Sequence, residues 1–395
     1  MLKIAFFSNF LNHHQLPLCK GLMGVDGVEF TFVATEPIEA ERAGMGYADM
    51  NAEPFVLRDY DEGGKARAMA LAVEADVMIF GAAPIEYLTA RMQENKLTFY
   101  FSERVLKLGD WRRFIPSTRK KLNAQFLNHK DKRLYVLGAS AYMARDMRLL
   151  GFPVERCLRW GYFPEITERN VDGLIADRAR RDVVEILYAG RLIELKRVID
   201  AVRALHLVKK GGVDNFHLTV IGEGESKAEL VRYVEKNGLS KNVSFLPFMP
   251  ANEVRRVMDG ADVYFFGSDF REGWGAVVNE AMNSACAVVV SHAVGSAATL
   301  IESGKNGLIY ECGNVKSLAR CFNALIADRD LRQKLGREAY LSVTSGWTGE
   351  IAASRLVAFS RQILDGETEN SPYTDGVCSP APVLQNGWIR EKSAE

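Results

Sequence analysis

The stretch Phe270-Arg271-Glu272-Gly273-Trp274-Gly275-Ala276-Val277-Val278-Asn279-Glu280 joins two patterns that are typical of buried strands. Before it runs Ala261-Asp-Val-Tyr-Phe-Phe-Gly267, and after it comes Cys286-Ala-Val-Val-Val-Ser291. We expect a helix over residues 276–285, so the order is strand, loop, helix and strand. This order is typical of a parallel α/β sheet, in which ligands bind at the carboxyl ends of the strands.

Two carboxylates and two glycines in this stretch predict a site for a sugar nucleotide. Gly273 and Gly275, on either side of Trp274, allow the backbone to approach a ligand at the start of the helix, where anions are favoured. Glu272 and Glu280 can each accept hydrogen bonds from hydroxyls, Glu280 from a ribose and Glu272 from a transferred sugar. On the spacing alone, a loop with two solvated glutamates is an equally good interpretation.

The composition indicates an ordinary globular protein of two or three domains. The 395 residues include 50 Lys and Arg against 50 Asp and Glu, with 48% hydrophobic residues. A formal net charge of zero argues against a general nucleic-acid binder. Six cysteines without Cys-x-x-Cys spacing favour a reduced, cytoplasmic chain, and we expect neither a signal peptide nor a helix that spans a membrane.

Apolar runs of strand length recur in two blocks, with helical patterns between them. The first block has strand patterns at residues 3–7, 29–34, 77–81, 98–101 and 133–138. The second block has them at residues 185–189, 217–221, 243–246, 263–266 and 287–290. This alternation predicts an α/β protein with two Rossmann-like, doubly wound domains that face a cleft.

The same patterns predict the domain boundaries. We expect a first domain over residues 1–165, a charged linker over 166–182 and a second domain over 183–345. A helix within 346–365 is expected to pack back toward the first domain. Residues 366–395, which are rich in Ser, Pro, Asn and Gly, are expected to form a flexible tail.

A second candidate ligand-binding segment ends the first strand of the second block. There, Gly190 and Arg191 close the strand and Lys196 is expected to open the following helix. A bidentate arginine, a lysine and free helix amides suit a diphosphate, although two surface charges at a helix start would give the same pattern. Gly222 and Gly224 close the next strand with a tight turn that lets a base or ribose come near, which is weak evidence alone.

Together these segments resemble the retaining glycosyltransferases of family four, the group 1 glycosyltransferases with the GT-B fold. The resemblance covers most of residues 183–312 and rests on Gly190-Arg191-Leu192 with Lys196, Gly222-Glu223-Gly224, and Glu272-Gly-Trp-Gly with Glu280-Ala-Met. It implies that Arg191 and Lys196 hold the donor diphosphate. It also implies that Glu280 binds the ribose and that Glu272 binds the donor sugar near its anomeric carbon.

The sequence departs from the family pattern at three positions. Arg197 replaces the usual glycine after the lysine, while Ser296 and Thr299 replace a glycine and a glutamate. We expect these changes to alter donor preference without removing the phosphate site. In the first domain, residues 8–17 replace the common paired-glycine loop and resemble a subset of these enzymes from surface-polysaccharide assembly, as do residues 101–104 and 160–164.

The first domain offers several candidate residues after its strands. His13 and His14, next to Asn12, follow the first strand, and imidazole can donate to a diphosphate or take an acceptor proton. A packing or capping role competes for each histidine. Asn12 and Glu103 are candidates on the acceptor side. For Glu103 the alternative is an ion pair to Arg104 or a nearby lysine.

The segment Arg104–Arg133 concentrates positive charge. It holds ten Lys or Arg and two Asp, mixed with aromatic and aliphatic residues. Such a segment can lie on an anionic membrane, where each cation adds about 1 kcal/mol. Arg104, Arg112 and Arg113 are therefore candidates on the acceptor or membrane side, although a solvated helix face would explain the charges equally well.

Two Asp-x-Asp matches, at residues 59–61 and 328–330, are interpreted as loop carboxylates rather than a metal site. We expect neither a metal nor another cofactor, because Arg191 and Lys196 can neutralise a diphosphate.

The predicted function is transfer of a sugar from a nucleoside diphosphate-sugar to a hydroxyl of a glycan or lipid-linked acceptor, with retention of configuration. The residues expected to act in catalysis are Glu272, Arg191, Lys196, His13 and His14. The chain is expected to be cytoplasmic and peripheral on the membrane, without nucleic-acid partners. A nucleotide-sugar epimerase of the same fold and a non-catalytic sugar-nucleotide scaffold are the alternatives.

Overall fold

The computed structural model describes residues 1–38 and 49–391, with the side chains of residues 390 and 391 left out. The chain forms two units. Met1–Glu165 and Gly346–Gln385 make up the first, and Ile166–Ser345 and Asn386–Glu395 make up the second. The chain therefore enters each unit twice.

A parallel sheet forms the centre of the first unit. Its strands are β1 (Leu2–Ser8), β2 (Val28–Ala34), β3 (Val56–Arg58), β4 (Val77–Phe80), β5 (Thr98–Ser102), β6 (Leu134–Gly138) and β7 (Cys157–Arg159). Their order is β3-β2-β1-β4-β5-β6-β7, and Ile4 of β1 pairs with Phe30 and Val77 on either side. The order reverses beside β1, which is the position where a doubly wound sheet opens a crevice at its carboxyl edge.

A second parallel sheet forms the centre of the second unit. Its strands are β8 (Val184–Ala189), β9 (Phe216–Ile221), β10 (Val243–Leu246), β11 (Val263–Phe266), β12 (Ala287–Ser291) and β13 (Leu308–Tyr310). Their order is β10-β9-β8-β11-β12-β13, so the reversal lies between β8 and β11. Strands β11 and β12 are buried along their whole length, as the continuous apolar runs predict for a sheet covered on both faces.

Helices connect the strands in both units. In chain order they are α1 (Leu16–Met23), α2 (Gly64–Glu74), α3 (Ile85–Gln93), α4 (Pro116–Gln125), α5 (Met143–Leu150), α6 (Val171–Ala179), α7 (Val198–Lys210), α8 (Lys227–Lys236), α9 (Ala251–Gly260), α10 (Val277–Asn283), α11 (Ala297–Leu300), α12 (Val315–Ala327), α13 (Arg329–Gly346), α14 (Gly349–Leu364) and α15 (Trp388–Glu391). The prediction of two doubly wound α/β domains is confirmed. Of the helices that the structure describes, none is long and apolar enough to cross a bilayer.

Helix α14 lies against α1 in the first unit, with backbone close to backbone. A Cβ atom on Gly349 would lie 2.4 Å from the carbonyl carbon of Pro17, and one on Gly21 would lie 2.7 Å from the Gly349 oxygen. Only glycine leaves room for this approach. The two glycines therefore fix where the chain returns to the first unit after residue 345.

Two predicted segments differ in the structure. The linker over 166–182 contains α6, whose first turn is capped by the Asn170 side chain as it accepts from the Gly173 amide at 3.0 Å. The buried Arg178 of α6 donates to the carbonyls of Ser284 and Ala285, each at 2.6 Å. Arg178 is thus one of the charged residues that made this segment resemble a linker, yet its side chain is buried and holds α6 against the rest of the second unit.

A tail was predicted over 366–395, and the part that the structure describes, residues 366–391, is more ordered than its composition suggested. Residues 392–395 lie outside the described residues. Val377, Cys378 and Ser379 are buried, and this segment pairs with the edge strand β7. The Cys378 amide donates to the Arg159 carbonyl at 2.9 Å, and the Arg159 amide donates to the Ser379 carbonyl at 2.8 Å. Backbone pairing that covers a sheet edge does not depend on an apolar sequence, so composition did not reveal it.

Candidate active site

The loops that follow β8 and β9 stay paired beyond the ends of their strands. The Gly190 amide donates to the Ile221 carbonyl at 3.0 Å, and the Leu192 amide donates to the Glu223 carbonyl at 2.8 Å. The Ser226 amide then donates to the Leu192 carbonyl at 2.9 Å. The two segments predicted to hold the diphosphate and the nucleotide are thus held side by side at the carboxyl edge of the sheet.

Gly222 and Gly224 are required by this pairing. Their φ angles are 139° and 153°, and a Cβ atom would lie 2.0 Å from the Gly190 oxygen or 2.3 Å from the Leu192 oxygen. No side chain fits at either position. The sequence predicted glycines for the approach of a ligand, and the structure shows that they also let the two loops meet.

Arg191 is exposed beside this pair of loops. Its backbone is fixed, because its carbonyl accepts a hydrogen bond from the Tyr188 hydroxyl at 2.9 Å. Among residues 1–38 and 49–391, its guanidinium has no hydrogen-bond or ion-pair partner. This cation is therefore available to an anionic ligand, and its planar fork suits two phosphate oxygens.

Lys196 does not open α7 as the sequence predicted. It ends a short 3₁₀ turn, Glu194–Lys196, and α7 begins only at Val198. Between them, Arg197 has a φ of 51°, in the left-handed region that favours glycine. This conformation explains why the family usually has a glycine at this position. Arg197 adopts it here, and its Nε donates to Asp200 at 2.7 Å.

Lys196 and Glu272, which the sequence assigned to different parts of a ligand, form an ion pair. The Lys196 Nζ lies 2.5 Å from a Glu272 carboxylate oxygen, and the two side chains are only 13% and 16% exposed. The same Nζ lies 4.9 Å from the centre of the Phe266 ring. Because an ammonium has three donors and a carboxylate has two oxygens, each partner keeps capacity for a further hydrogen bond.

Hydrogen bonds hold the loop that carries Glu272. The Asp269 amide donates to the Leu195 carbonyl at 2.9 Å, and this bond ties the loop to the turn that carries Lys196. The Glu272 amide donates to the Asp269 carbonyl at 3.0 Å, while Arg271 donates to both carboxylate oxygens of Asp269. The geometry of the ion pair is thus set by the backbone as well as by the side chains.

Trp274 belongs to the motif that the sequence predicts to bind the donor, and the structure restricts that role. Its side chain is fully buried, and its Nε1 donates to Asn279 Oδ1 at 2.9 Å. The ring therefore anchors the loop, and contact with a donor is limited to the backbone of this residue. That backbone is itself held, because the Gly295 and Ser296 amides donate to the carbonyls of Gly273 and Trp274.

The glycine that follows Trp274 has a similar constraint. Gly275 has a φ of 81°, and a Cβ atom would lie 2.7 Å from the Phe266 ring. The chain must therefore turn here without a side chain before α10 begins at Val277. Helix α10 is shorter than the predicted 276–285, since it ends at Asn283.

Glu280 lies on α10 in a half-buried position. Burial raises the pKa of its carboxyl group above the usual glutamate range, and the positive charge of Arg255 partly opposes that shift. Arg255 also donates to the Glu280 carbonyl at 3.1 Å. Because burial removes water from this carboxylate, hydrogen bonds from hydroxyl groups would stabilise its charged form strongly. This property fits the predicted contact with a ribose.

In the first unit, Asn12 organises the turn between β1 and α1. Its side chain accepts from the His14 amide at 3.0 Å and donates to Gln15 at 2.9 Å. The ring centres of His13 and His14 lie 3.8 Å apart, and the centre of the His14 ring lies 5.7 Å from that of the Tyr162 ring. Asn12 thus has a structural role that accounts for its position after the strand.

Glu103 follows β5 and has two polar partners in the same unit. Lys107 Nζ lies 3.3 Å from one of its carboxylate oxygens, and the Tyr162 hydroxyl donates to the other at 3.4 Å. The competing interpretation of an ion pair with a nearby lysine thus describes the observed contact. The predictions did not include Tyr162 or Lys107 as site residues, although Tyr162 lies within the segment 160–164 and Lys107 within Arg104–Arg133, both of which the sequence had singled out.

Arg104 corrects one prediction. It is only 3% exposed, and its guanidinium donates to both carboxylate oxygens of the buried Asp146, at 3.3 and 2.9 Å. A buried charge of this kind is held by its partner, and removal of either one leaves the other unpaired. Arg104 therefore stabilises the first unit, and its burial argues against the predicted place on an acceptor or membrane surface.

Arg112 and Arg113 lie in a short 3₁₀ helix, Asp110–Phe114, with two exposed aromatic rings. Trp111 is 60% exposed and Phe114 is 73% exposed. The Arg112 guanidinium lies 5.7 Å from the Trp111 ring centre, and that of Arg113 lies 4.7 Å from the Phe114 ring centre. Both arginines are therefore part of one aromatic and basic surface.

The two Asp-x-Asp matches have structural partners. Asp59 accepts from the Tyr87 hydroxyl at 2.6 Å, and Asp61 pairs with Arg58 at 2.9 Å. Asp328 accepts from the Leu331 amide at 2.9 Å, at the start of α13. These contacts give the carboxylates roles in local structure.

The chain is similar to known glycosyltransferases in sequence. Residues 176–342 match the family model described as glycosyl transferases group 1. D-inositol 3-phosphate glycosyltransferase of Pseudarthrobacter chlorophenolicus is 32% identical over 182 residues, which cover 43% of this chain and 43% of that protein. Lipopolysaccharide core biosynthesis glycosyltransferase LpsE of Rhizobium meliloti is 25% identical over 44% of this chain and 50% of its own length. The chain thus spans half or less of the length of these curated relatives.

Solved structures show the same fold over nearly the whole chain. Anabaena Alr3699/HepE, solved in complex with UDP, has a TM-score of 0.65 at 17% identity and covers 93% of this chain and 99% of its own. The lipopolysaccharide outer core galactosyltransferase WaaB has a TM-score of 0.61 at 16% identity, over 91% of this chain and 100% of its own. With its two parallel sheets, the chain has the GT-B fold of these solved structures, and its residues 176–342 are similar to the group 1 glycosyltransferases.

Proposed function

We propose that the protein transfers a sugar from a nucleoside diphosphate-sugar to an acceptor hydroxyl, with retention of the anomeric configuration. The observation that carries this proposal is the grouping of Arg191, the Lys196–Glu272 ion pair and the paired glycine loops at one edge of the second sheet. Complexes of Anabaena HepE with UDP and with UDP-glucose support a nucleoside diphosphate-sugar as the donor.

Each donor group would meet a matching protein group. Arg191 and Lys196 would hold the diphosphate, and the turn at Gly222 and Gly224 would admit the nucleoside. Glu280 would accept from the ribose hydroxyls and Glu272 from a hydroxyl of the sugar. Because two cations neutralise the diphosphate, the proposed reaction needs no metal ion.

The proposed chemistry depends on stabilisation of the leaving group. As the bond between the anomeric carbon and the diphosphate breaks, negative charge grows on the diphosphate oxygen beside Arg191 and Lys196. Cations placed before the reaction stabilise that charge without reorganisation. The acceptor hydroxyl would attack from the same face, so configuration is retained without a covalent intermediate. In the first unit, His13 and His14 are the proposed acceptor-side groups for the released proton.

The proposal is tested with a panel of nucleoside diphosphate-sugars. Binding is measured first, and each sugar that binds is then incubated with and without a lipid-linked glycan acceptor. Products that form only with the acceptor support a transferase. Conversion of the donor to an isomer without acceptor would support an epimerase, and binding without turnover would support a scaffold.

Glu280→Gln is expected to stabilise the protein while it weakens nucleotide binding. Since burial raises the pKa of Glu280, the folded state binds a proton more readily than the unfolded state, and stability falls as pH rises through the raised pKa. Glutamine does not ionise, so the variant avoids this loss of stability at higher pH. We expect a higher Tm than wild type at pH 8, a difference that vanishes toward pH 4, and about tenfold weaker nucleoside diphosphate binding. An unchanged Kd would remove Glu280 from the ribose site.

We also propose that the protein acts in surface-polysaccharide or glycolipid assembly and docks on an anionic membrane. The relatives include a lipopolysaccharide core glycosyltransferase and a capsular polysaccharide glycosyltransferase. The docking surface would be the aromatic and basic surface of Trp111–Phe114, extended by the exposed Arg119, Lys120 and Lys121 of α4. Exposed aromatic rings suit the interface of a bilayer, and cations suit its anionic headgroups.

Vesicle binding tests this surface. Replacement of Arg119, Lys120 and Lys121 by alanine is expected to lower the partition coefficient on phosphatidylglycerol-containing vesicles by about 100-fold, at about 1 kcal/mol for each cation. Trp111→Ala should weaken binding further, whereas Phe248→Ala, at an exposed phenylalanine of the second unit, should not. Equal binding of the triple variant and the wild type would contradict the proposed surface.

A further inference from the structure

The C-terminal segment Asn386–Trp388 reaches the donor-side unit beside the end of β12. It belongs to the second unit, although residues 346–385 belong to the first. Its contact point is His292, the residue that follows β12. The Asn386 carbonyl accepts from His292 Nε2 at 3.0 Å, and the buried Trp388 ring lies edge-on to the imidazole at 6.3 Å.

His292 is held in one orientation by partners on both ring nitrogens. Its Nε2–H donates to Asn386, and its Nδ1 accepts from the Cys312 amide at 2.9 Å. These two bonds require the neutral Nε2–H tautomer. The His292 amide also donates to the Tyr310 carbonyl at 2.9 Å, so its backbone is tied to β13. The imidazole is therefore a fixed surface against which another group can pack.

Phe270 packs on that fixed imidazole. The two rings meet edge to face, with 5.3 Å between their centres and an interplanar angle of 89°. Such a contact is attractive and directional. Phe270 precedes Glu272 by two positions in the loop that carries the ion pair with Lys196. A line of contacts thus runs from Trp388 through His292 to the residues beside Glu272.

We propose that Trp388 and His292 are positioning residues for Glu272. Through Phe270, the C-terminal segment holds the Glu272 loop in the conformation that receives the donor sugar. This inference rests on the proposed function and deepens it, because it separates recognition of the sugar from recognition of the nucleotide. None of the bonds that pair the β8 and β9 loops involves His292, Phe270 or Trp388.

The test compares affinity for a nucleotide with affinity for the matching nucleotide sugar. UDP and UDP-glucose serve as probes, or the corresponding pair for the base that the panel selects. Trp388→Ala is expected to raise the Kd of the nucleotide sugar about tenfold and lower kcat about tenfold, because a small misplacement of a reacting group is costly. The Kd of the nucleotide should change less than about twofold. Trp388→Phe, which restores an aromatic ring, should recover most of both losses.

A variant of Phe270 and two truncated chains complete the test. Phe270→Leu removes the ring contact at a half-exposed site and should give the same selective loss, with folding checked by circular dichroism. A chain that ends at Gln385 should behave like Trp388→Ala, whereas one that ends at Glu391 should behave like wild type. The inference would be overturned if the variants lost equal affinity for the nucleotide and for the nucleotide sugar. It would also be overturned if folded Trp388→Ala and Phe270→Leu lost neither affinity for the nucleotide sugar nor kcat. Failure of the wild-type protein to bind any nucleotide sugar would instead refute the proposed function.

Discussion

Glu272→Gln is expected to lower kcat for sugar transfer by roughly 100- to 1,000-fold, the range found when one preorganised polar contact to a transition state is lost. The carboxylate would hold a hydroxyl of the sugar as charge develops at the anomeric carbon. Glutamine keeps the size of the side chain but loses its charge and one acceptor. The chemical step should therefore suffer far more than the folding of the site.

The same substitution should leave nucleoside diphosphate binding intact or make it slightly tighter. In the structure, Glu272 neutralises Lys196 across 2.5 Å. Without that charge, the ammonium attracts a diphosphate more strongly. Calorimetric titration of the nucleotide, together with a steady-state transfer assay, measures both effects. Unchanged kcat would remove Glu272 from the mechanism.

Glu302→Gln is the matched control. Glu302 also pairs with a lysine, at 2.8 Å from Lys305, but it lies in the turn before β13, where that strand enters the sheet. Its pair is exposed, and exposed pairs contribute little. Both kcat and the nucleotide Kd should stay at wild-type values in this variant.

Arg191→Ala is expected to weaken nucleoside diphosphate binding by about 100-fold, which corresponds to the loss of about 3 kcal/mol from charge-assisted hydrogen bonds. Catalytic efficiency should fall further, because the diphosphate gains charge in the transition state. The fold should survive, since the guanidinium is exposed and forms no hydrogen bond or ion pair with the described residues. Titration of the nucleotide at low and high salt measures the loss.

Arg232→Ala provides the comparison. Arg232 is likewise an exposed arginine of the second unit, but it lies on helix α8 and not in a loop that follows a strand. If attraction of the nucleotide came only from the general charge of the unit, the two variants would weaken binding equally. We expect the nucleotide Kd of Arg232→Ala to match that of the wild-type protein. A similar Kd for Arg191→Ala and wild type would contradict the proposed phosphate contact.

The long strands could be predicted from the sequence because each is a continuous apolar run in a buried parallel sheet. The runs at Val243–Leu246 and Val263–Phe266 coincide with β10 and β11. Strands β3, β7 and β13 were missed. Each has three residues and lies at the edge of its sheet, so it is too short to show a period and is buried on fewer sides.

The candidate site was predictable where its motifs are local in sequence. Gly190, Arg191, Gly222 and Gly224 lie at the strand ends where the pattern placed them. Contacts between distant positions could not be read from spacing. Lys196 and Glu272 are 76 positions apart, Arg104 and Asp146 are 42 apart, and His292 and Asn386 are 94 apart. These pairs are decided by the order of the strands, which no local pattern contains.

The most direct test of the proposed transferase activity is nuclear magnetic resonance of the complete reaction. The donor identified by the panel is incubated with its acceptor, and the anomeric signals of donor and product are followed over time. We predict that product forms only when acceptor is present and that it keeps the anomeric configuration of the donor. An inverted product, or an isomerised donor in the absence of acceptor, would contradict the proposed reaction.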